Sequence, residues 1–294
     1  MRTLGLFTLL VTLTAFHFGG PFDRAATTTV EYPENIFITE FYPHARDTFY
    51  TAEDAWLELD LATQTAIVHN RERADFHFKV STGTPYIKDG MRTNKGLFVV
   101  RKKIWQKYST SFPDALLYRW MPFNYGIGIH GLLQNRYYNY LGKRPSSHGC
   151  VRVSREDVNR VYDMLAVGSP VLVHSGDDAA IAVAFADPRG TYRTVGDAEE
   201  LLEIAERRRN RLYNGEYFLE PNDKILLTTT NVLDAGMPIG DASMIPSRQR
   251  FPRPESMYLA PFSDRVAAEA RAVESRHVAA FLADHETELA SETR

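Results

Sequence analysis

The sequence predicts a mainly β domain over residues 53–175 and an α-rich region over residues 176–294. In the first part, short apolar runs alternate with polar residues, which is the pattern of half-buried strands. Clusters of Gly, Pro, Ser and Thr separate these runs and predict turns. Only one stretch of helical periodicity interrupts them, so the domain is expected to hold many short strands and one helix.

Six strand patterns account for most of this domain. They lie at residues 56–61, 65–69, 76–80, 96–100, 126–130 and 170–174. The first two are joined by Ala62-Thr63-Gln64, and this short connection predicts a β-hairpin. The fifth strand ends in His130, and residues 131–146 after it are polar and rich in Tyr and Asn, which predicts a long loop.

The one helix is predicted after Cys150. Ser154 can cap its N-terminus, with Asp157 three residues later in a weaker version of the capping box. Apolar side chains then recur at helical spacing on one face, and Gly168 ends the pattern. These apolar positions are Val158, Val161, Tyr162 and Leu165.

The C-terminal region shows helical periodicity near both of its ends. Residues 197–212 and 263–289 each predict a helix, and a short strand is predicted at 225–229 between them. Within the first helix, the charges of Glu206-Arg207-Arg208-Arg209 predict a solvated face. The role of residues 176–294 does not follow from these patterns.

The N-terminus has the pattern of an export segment. Arg2 precedes an uncharged, mostly apolar run from Leu4 to Phe16, which Gly19-Gly20-Pro21 interrupts. This order is typical of a secretory signal at residues 1–20, although an uncleaved membrane anchor and a buried helix are alternatives. Residues 21–52 then form a linker or N-terminal extension. The protein is therefore expected to be exported to the periplasm or cell envelope, and to meet the membrane only through this segment.

The charge distribution excludes one class of partner. The chain has 34 basic and 37 acidic residues, with a formal net charge of −3 and both signs mixed along the sequence. A nucleic-acid-binding surface needs clustered Lys and Arg with a basic balance, so nucleic acid is not expected as a partner.

Cys150, the single cysteine, is the strongest candidate for chemistry. An exported chain with one cysteine cannot form an internal disulfide, so its thiol needs another role. The nucleophilic form is the thiolate, which a neighbouring imidazole can generate by accepting the proton. His148 is two residues away and would share a face with Cys150 on an extended strand, whereas His130 would come from an adjacent strand. The alternatives are a buried apolar cysteine, or a zinc site from these three residues.

Gly149 adds a second functional feature. A glycine beside the nucleophile lets a substrate approach the backbone closely. The amides of Gly149 and Cys150 are therefore candidates to stabilise a developing oxyanion.

These residues closely resemble the signature of L,D-transpeptidase catalytic domains, the YkuD family. The signature is His130-Gly131, then residues up to Ser146, then Ser147-His148-Gly149-Cys150-Val151-Arg152-Val153. The resemblance extends over about residues 55–175, and residues 176–294 match no family we recognise. Residues 93–98 resemble the family segment Thr-Pro-x-Gly-x-Phe, with Asn94 where Pro is usual.

The resemblance implies a β sandwich or flattened barrel that acts on peptidoglycan stem peptides. In the family the cysteine attacks the third residue of a tetrapeptide stem, releases D-Ala, and passes the acyl group to an amine. The acceptor amine belongs to another stem or to a wall-attached protein, and no metal or organic cofactor is implied.

The resemblance also assigns roles to residues. It makes Cys150 the nucleophile and His130 its base, oriented by the Gly131 carbonyl, while His148 lines the site. Ser147 and Arg152 match the motif, and either a structural role or binding of a stem carboxylate is open for Arg152. Tyr125 is a candidate for the wall of the site, with core packing as its alternative.

Two rival functions remain open from the sequence. The same thioester can be passed to water, which would make the protein an L,D-carboxypeptidase or endopeptidase. A non-catalytic wall-binding module on the same fold is the alternative from another class, although such a module would be expected to lose the cysteine.

Overall fold

The computed structural model of the chain describes residues 36–38, 45–112 and 114–251. The predicted export segment at 1–20 and the predicted helix at 263–289 lie outside these ranges. No helix within them is long and apolar enough to span a bilayer.

The described residues confirm the mainly β prediction. In chain order the strands are β1 (Ile36–Ile38), β2 (Asp47–Thr51), β3 (Ala55–Asp60), β4 (Thr65–Asn70), β5 (Phe76–Ser81), β6 (Gly96–Val99), β7 (Ile104–Tyr108), β8 (Leu116–Asn124), β9 (Ile127–Gly131), β10 (Val151–Val153), β11 (Pro170–His174), β12 (Ile181–Phe185), β13 (Arg193–Thr194), β14 (Ile225–Leu226) and β15 (Gln249–Phe251). The helices are α1 (Arg155–Met164) and α2 (Ala198–Tyr213), with 3-10 turns at Asn135–Tyr140 and Ala242–Met244.

Nine strands form the central sheet, in the order β6-β11-β3-β4-β5-β10-β9-β8-β7. The predicted hairpin is β3–β4, and its register pairs Asp60 with Thr65. Most neighbours are antiparallel, but β11 pairs with β3 and β10 pairs with β9 in parallel. The parallel pair β9–β10 places Ile127–Gly131 beside Val151–Val153, although these segments are distant in sequence.

The inner face of this sheet encloses the main core. Alternate residues of each strand point inwards, so Leu57, Leu59 and Val68 are fully buried there together with residues of β9 and β10. Helix α1 closes the core from one side through Val158 and Val161. It begins at the predicted cap, where Ser154 Oγ accepts a hydrogen bond of 2.9 Å from the Asp157 amide.

The C-terminal region covers the outer face of the same sheet. Trp56, Leu97 and Leu172 point away from the main core and pack against a second layer. This layer contains α2 and a four-stranded sheet in the order β12-β2-β14-β13. Strand β2 lies within residues 47–51, which the sequence placed in the N-terminal extension, and it pairs in parallel with both β12 and β14.

The prediction of an α-rich C-terminal region is not confirmed for the described residues. Residues 176–251 contain one long helix and four short strands. The helix predicted at 197–212 is α2, which begins after Asp197, whose side chain accepts from the Glu200 amide at 2.8 Å. The strand predicted at 225–229 is the shorter β14.

The predicted solvated face of α2 is wrong at one residue. Glu206 and Arg207 are exposed, but Arg208 is 4% exposed. Its position follows from helical spacing, because Leu201, Ile204 and Leu212 lie on the same buried face. The chain therefore buries a guanidinium group against β2.

A buried ion pair compensates the charge of this guanidinium group. Arg208 contacts the carboxylate of Asp47, which also accepts a hydrogen bond of 2.7 Å from the Tyr217 hydroxyl. Burial raises the pKa of Asp47 although the charge of Arg208 lowers it. The cost of desolvating the carboxylate thus exceeds its attraction to Arg208. Removal of Asp47 alone would nevertheless be costly, because it would leave the buried charge of Arg208 unpaired.

We expect Asp47→Ala to lower the free energy of unfolding by about 3–5 kcal/mol, because it leaves Arg208 buried without its partner. Chemical denaturation followed by circular dichroism measures this change. Asp177→Ala is the matched control, since it removes the exposed partner of Arg46 and is expected to change stability by less than about 1 kcal/mol. Equal losses in the two variants would contradict a structural role for the buried pair.

Candidate active site

The pairing of β9 with β10 brings the two predicted catalytic residues together. Val151 lies opposite Ile129, and Arg152 lies opposite His130. Because Ile129 and Val151 point into the core, His130 and Arg152 point to the other face of the sheet. Cys150 directly precedes β10, so the chain carries it to the end of the strand that pairs with β9.

The imidazole of His130 is held in its neutral form. Its Nδ1 lies 3.2 Å from the carbonyl oxygen of Gly131, which is the contact that the family resemblance implies. Burial, together with a smaller effect of the charge of Arg152, lowers the pKa of His130 to about 4, although the bond to Gly131 opposes this shift. With Nδ1–H donating to that carbonyl, Nε2 carries the lone pair and can accept a proton.

Gly131 also fixes the strand that carries His130. A Cβ at this position would lie 2.6 Å from Val158 Cγ1 and 3.0 Å from Tyr118 Cδ1. Helix α1 can therefore pack directly on β9 only because this residue lacks a side chain.

The Cys150 sulfur lies against the β8–β9 turn. Cys150 is partly exposed, and its Sγ is 3.9 Å from the carbonyl oxygen of Gly126. Burial raises the pKa of the thiol, while a backbone hydrogen bond from Gly128 and the charge of Arg152 lower it. A Cβ at Gly128 would approach the Met121 carbonyl oxygen to 2.4 Å, so a glycine is needed where this strand passes its neighbour.

Ser147 organises the loop that carries the thiol. It is 1% exposed, and its Oγ donates to the Cys150 carbonyl at 2.5 Å. The same Oγ accepts a hydrogen bond of 3.1 Å from the Gly149 amide. This contact differs from the expectation that the Gly149 amide faces an oxyanion, because in this conformation that amide is already bonded within the loop. Gly149 has φ of +137°, which explains the need for glycine there.

Thr93 is a site residue to which the sequence reasoning gave no role. Its side chain is buried, donates to the Gly149 carbonyl at 2.6 Å and accepts from the Gly83 amide at 2.9 Å. Gly83 permits this contact, since a Cβ there would lie 2.5 Å from the Gly149 Cα. The sequence indicated this residue only through the resemblance of residues 93–98 to a family segment. That resemblance aligns the residues with the family but does not predict their contacts.

His148 is placed differently from the expectation of a shared strand. Strand β10 begins only at Val151, so His148 and Cys150 belong to a loop and do not alternate along a strand. The imidazole ring of His148 packs on Phe112, with ring centroids 4.2 Å apart. His148 thus forms the rim of the site together with an aromatic residue that the sequence reasoning did not single out.

Arg152 fixes the end of the polar loop. Its Nη1 donates to the carbonyl oxygen of Ser146 at 2.8 Å and to the Ser146 hydroxyl at 3.1 Å, and its guanidinium lies 4.1 Å from the centre of the Tyr137 ring. Both contacts fit the structural alternative for this residue. The cation still lies near enough to Cys150 and His130 to lower both their pKa values.

Tyr125 occupies the β8–β9 turn and is 70% exposed, so core packing is wrong for this residue. It precedes Gly126, whose carbonyl faces the sulfur, and it has a positive φ of 49°. The structure therefore places Tyr125 at the edge of the site, with its ring open to solvent.

Two further histidines of the sheet, His69 and His174, have structural partners. On the outer face, His69 and His174 each bind Glu58, at 2.6 Å and 3.0 Å. These bonds lower the pKa of Glu58 to about 2. Within residues 45–112 and 114–251, no group of three His, Cys, Asp or Glu side chains is arranged to hold a metal ion.

Together these contacts define a mainly β domain in which a buried, neutral histidine lies on β9 and the cysteine directly precedes the neighbouring strand β10. Residues 54–173 match the sequence model of the L,D-transpeptidase catalytic domain, the YkuD family. These residues therefore carry the L,D-transpeptidase catalytic domain that the motif predicted.

Solved structures of L,D-transpeptidases resemble part of the chain. One from Mycobacterium smegmatis is 21% identical, with 42% of this chain and 59% of that chain covered and a TM-score of 0.36. One from Stackebrandtia nassauensis is 25% identical, with 46% and 61% covered and a TM-score of 0.37. One from Xylanimonas cellulosilytica is 23% identical, with 42% and 62% covered and a TM-score of 0.36.

The chain spans about three fifths of the length of these structures. No curated protein matches the chain at a significant level.

We expect the wild type to lose stability in acid, and we expect the His130→Gln variant not to show this loss. The unfolded chain takes up a proton on this residue near pH 6.5, whereas the folded protein does so only near pH 4, so wild-type stability falls between these values. The pH-dependent part of the difference from the variant should vanish above a pH of about 6.5 and reach the order of 3 kcal/mol below a pH of about 4. Urea unfolding at several pH values measures it.

His77→Gln, at an exposed position of β5, is the control for replacing a histidine. A wild type and His130→Gln with parallel stability profiles would show that residue 130 is not buried in its neutral form.

Proposed function

We propose that the chain is a peptidoglycan L,D-transpeptidase that forms a Cys150 thioester with the third residue of a tetrapeptide stem. The thioester is then passed to an amine, either on another stem or on a wall-attached protein. The catalytic-domain match over residues 54–173 supports an enzyme that acts on peptidoglycan.

One observation carries the mechanistic part of this proposal. His130 lies on β9, which pairs in parallel with β10, and Cys150 directly precedes β10, while His130 Nδ1 is bonded to Gly131. We propose that Nε2, which this bond leaves free, accepts the proton of the Cys150 thiol. A non-catalytic wall-binding module would have no need for this buried, oriented imidazole.

The reaction follows from the protonation states of the pair. The thiol proton passes to His130 Nε2 as Sγ attacks the stem carbonyl, and a tetrahedral oxyanion forms. The imidazolium then gives its proton to the nitrogen of D-Ala, the C–N bond breaks, and a thioester remains. An acceptor amine attacks this thioester and loses its proton to His130, and the departing thiolate recovers the proton from the imidazolium.

Three further residues are proposed to serve substrate and charge. The cation of Arg152 favours the thiolate as it develops, as expected of a positive charge near sulfur. His148, which packs on Phe112, and the exposed Tyr125 are proposed to contact the stem peptide.

The proposed location follows from the substrate. Peptidoglycan lies outside the cytoplasm, and the apolar run Leu4 to Phe16 fits a signal peptide or an N-terminal membrane anchor. We therefore propose that the protein works in the periplasm or cell envelope.

Incubation of the purified protein with a disaccharide-tetrapeptide tests the reaction directly. We expect a cross-linked dimer with loss of one D-Ala, identified by mass spectrometry, and no product from Cys150→Ala. Tripeptide without dimer would assign the protein to the hydrolase alternative. A folded wild type that gives neither product would contradict enzymatic activity on this substrate.

Acylation by a carbapenem, a class that acylates the thiol in this family, separates the roles of the two histidines. We expect His130→Ala to slow formation of the mass adduct by about 10²–10⁴-fold, because a general base contributes that much. His148→Ala should slow it far less, since that ring packs on the rim.

Cys150→Ala must give no adduct, which controls for acylation elsewhere. Equal rates in the two histidine variants would place the base at another residue.

A further inference from the structure

A segment of the C-terminal region, residues 228–237, is fastened to the edge of the catalytic sheet. The Leu97 amide donates to the Met237 carbonyl, and the Met237 amide donates to the Leu97 carbonyl, both at 2.8 Å. Strand β6 is the last strand of the nine-stranded sheet, so the segment extends the sheet by one residue pair.

Arg101 fastens the same segment a second time. Its guanidinium donates to the carbonyl oxygen of Thr229 at 2.7 Å and to that of Val232, and its Nε lies 2.6 Å from the Asp234 carboxylate. The Arg101 side chain is mostly buried by these contacts. Several contacts from one planar cation hold a short stretch of irregular backbone in a single arrangement.

The held segment in turn binds Asn124, the last residue of β8. Asn124 is 2% exposed, and its Nδ2 donates to the Asp234 carbonyl at 2.7 Å. Its Oδ1 accepts a hydrogen bond of 3.0 Å from Asn94 Nδ2. Asn94 is the position where the family usually has a proline, which could not make this contact.

Asn124 begins the turn that faces the sulfur. It pairs with Ile127 across Tyr125 and Gly126, and the Gly126 carbonyl is 3.9 Å from Cys150 Sγ. Tyr125 has a left-handed backbone, which is unfavourable for a residue with a side chain, and its exposed ring offers the turn little packing. The turn therefore depends on contacts at its ends.

The opposite side of the thiol is held from the same place. Thr93, the neighbour of Asn94, donates to the Gly149 carbonyl in the loop that carries Cys150. Residues 93 and 94 thus bind the nucleophile loop and the β8–β9 turn at once. We propose that residues 228–237 position the Cys150 sulfur by holding this turn through the side chain of Asn124.

This assignment makes Asn124 and Arg101 positioning residues. Only their expected effect on turnover rests on the proposed transpeptidase function. The reactivity of the thiol itself can be measured without any substrate, so the two ideas can fail separately.

The test compares Asn124→Ala and Arg101→Met with the wild type in the full chain. The pH profile of Cys150 alkylation by iodoacetamide reports the thiol directly. Burial is the main cause of the raised thiol pKa, so a loosened turn that admits water should move the midpoint of the profile down. We expect alkylation near neutral pH to rise about fivefold, because the loss of one hydrogen bond changes an equilibrium by about that factor.

Turnover of the disaccharide-tetrapeptide should fall in the same two variants, with a change in kcat larger than that in KM. A faster reagent reaction beside a slower enzymatic reaction distinguishes misplacement of the sulfur from general unfolding, which circular dichroism checks. Arg46→Met is the matched control, because it removes an Arg–Asp pair to the C-terminal region that does not involve residues 228–237.

Alkylation profiles of Asn124→Ala or Arg101→Met that superimpose on the wild type would overturn the proposal. An equal shift in Arg46→Met would overturn it too, since any loosening of the C-terminal region would then suffice. Shifted profiles in a protein whose wild type has no turnover would support the positioning role while refuting the proposed function.

Discussion

The parallel pairing of β9 with β10 is the constraint on which the site depends. It sets His130 beside Arg152 and brings Cys150, which directly precedes β10, to the same end of the sheet region, although twenty positions of sequence separate His130 from Cys150. The surrounding features protect this register: α1 packs onto β9 over Gly131, and Thr93 binds the backbone of Gly149. A shift by one residue would turn His130 into the core and Ile129 outwards, so the alternation of buried valines and isoleucines fixes the chemistry as well as the fold.

The central nine-stranded sheet separates two hydrophobic clusters, the main core of the catalytic domain and the layer formed with the C-terminal region. The inner face encloses the main core, while Trp56, Leu97 and Leu172 on the outer face are buried only by the second layer. Strand β2 precedes the catalytic domain in the chain yet lies between two strands that follow it. The residues outside the family match are therefore part of the hydrophobic structure that supports the site, which gives the C-terminal region a physical role that its own sequence does not reveal.

Sequence patterns predicted what depends on local periodicity and missed what depends on distant contacts. Strands β3–β6, β9 and β11, together with α1 and the start of α2, follow from alternation, helical spacing and caps, and the motif around Cys150 identified the catalytic domain. Arg208 was misread because a run of charges suggested solvent, whereas its spacing from Leu201 and Leu212 places it on the buried face. Asp47, which compensates that charge, lies far away in sequence. The contacts of Gly149 with Ser147 and of His148 with Phe112 likewise depend on how a loop folds, and no periodicity encodes that.

The electrostatics of the site determine how its proton must move. Burial lowers the pKa of His130 and raises that of Cys150, so a neutral imidazole and a neutral thiol are the stable resting pair. An imidazolium–thiolate pair formed in advance would need two charges in a poorly solvated place. In the proposed reaction, proton transfer is therefore favoured only as the sulfur bonds to a carbonyl, when the negative charge passes to oxygen.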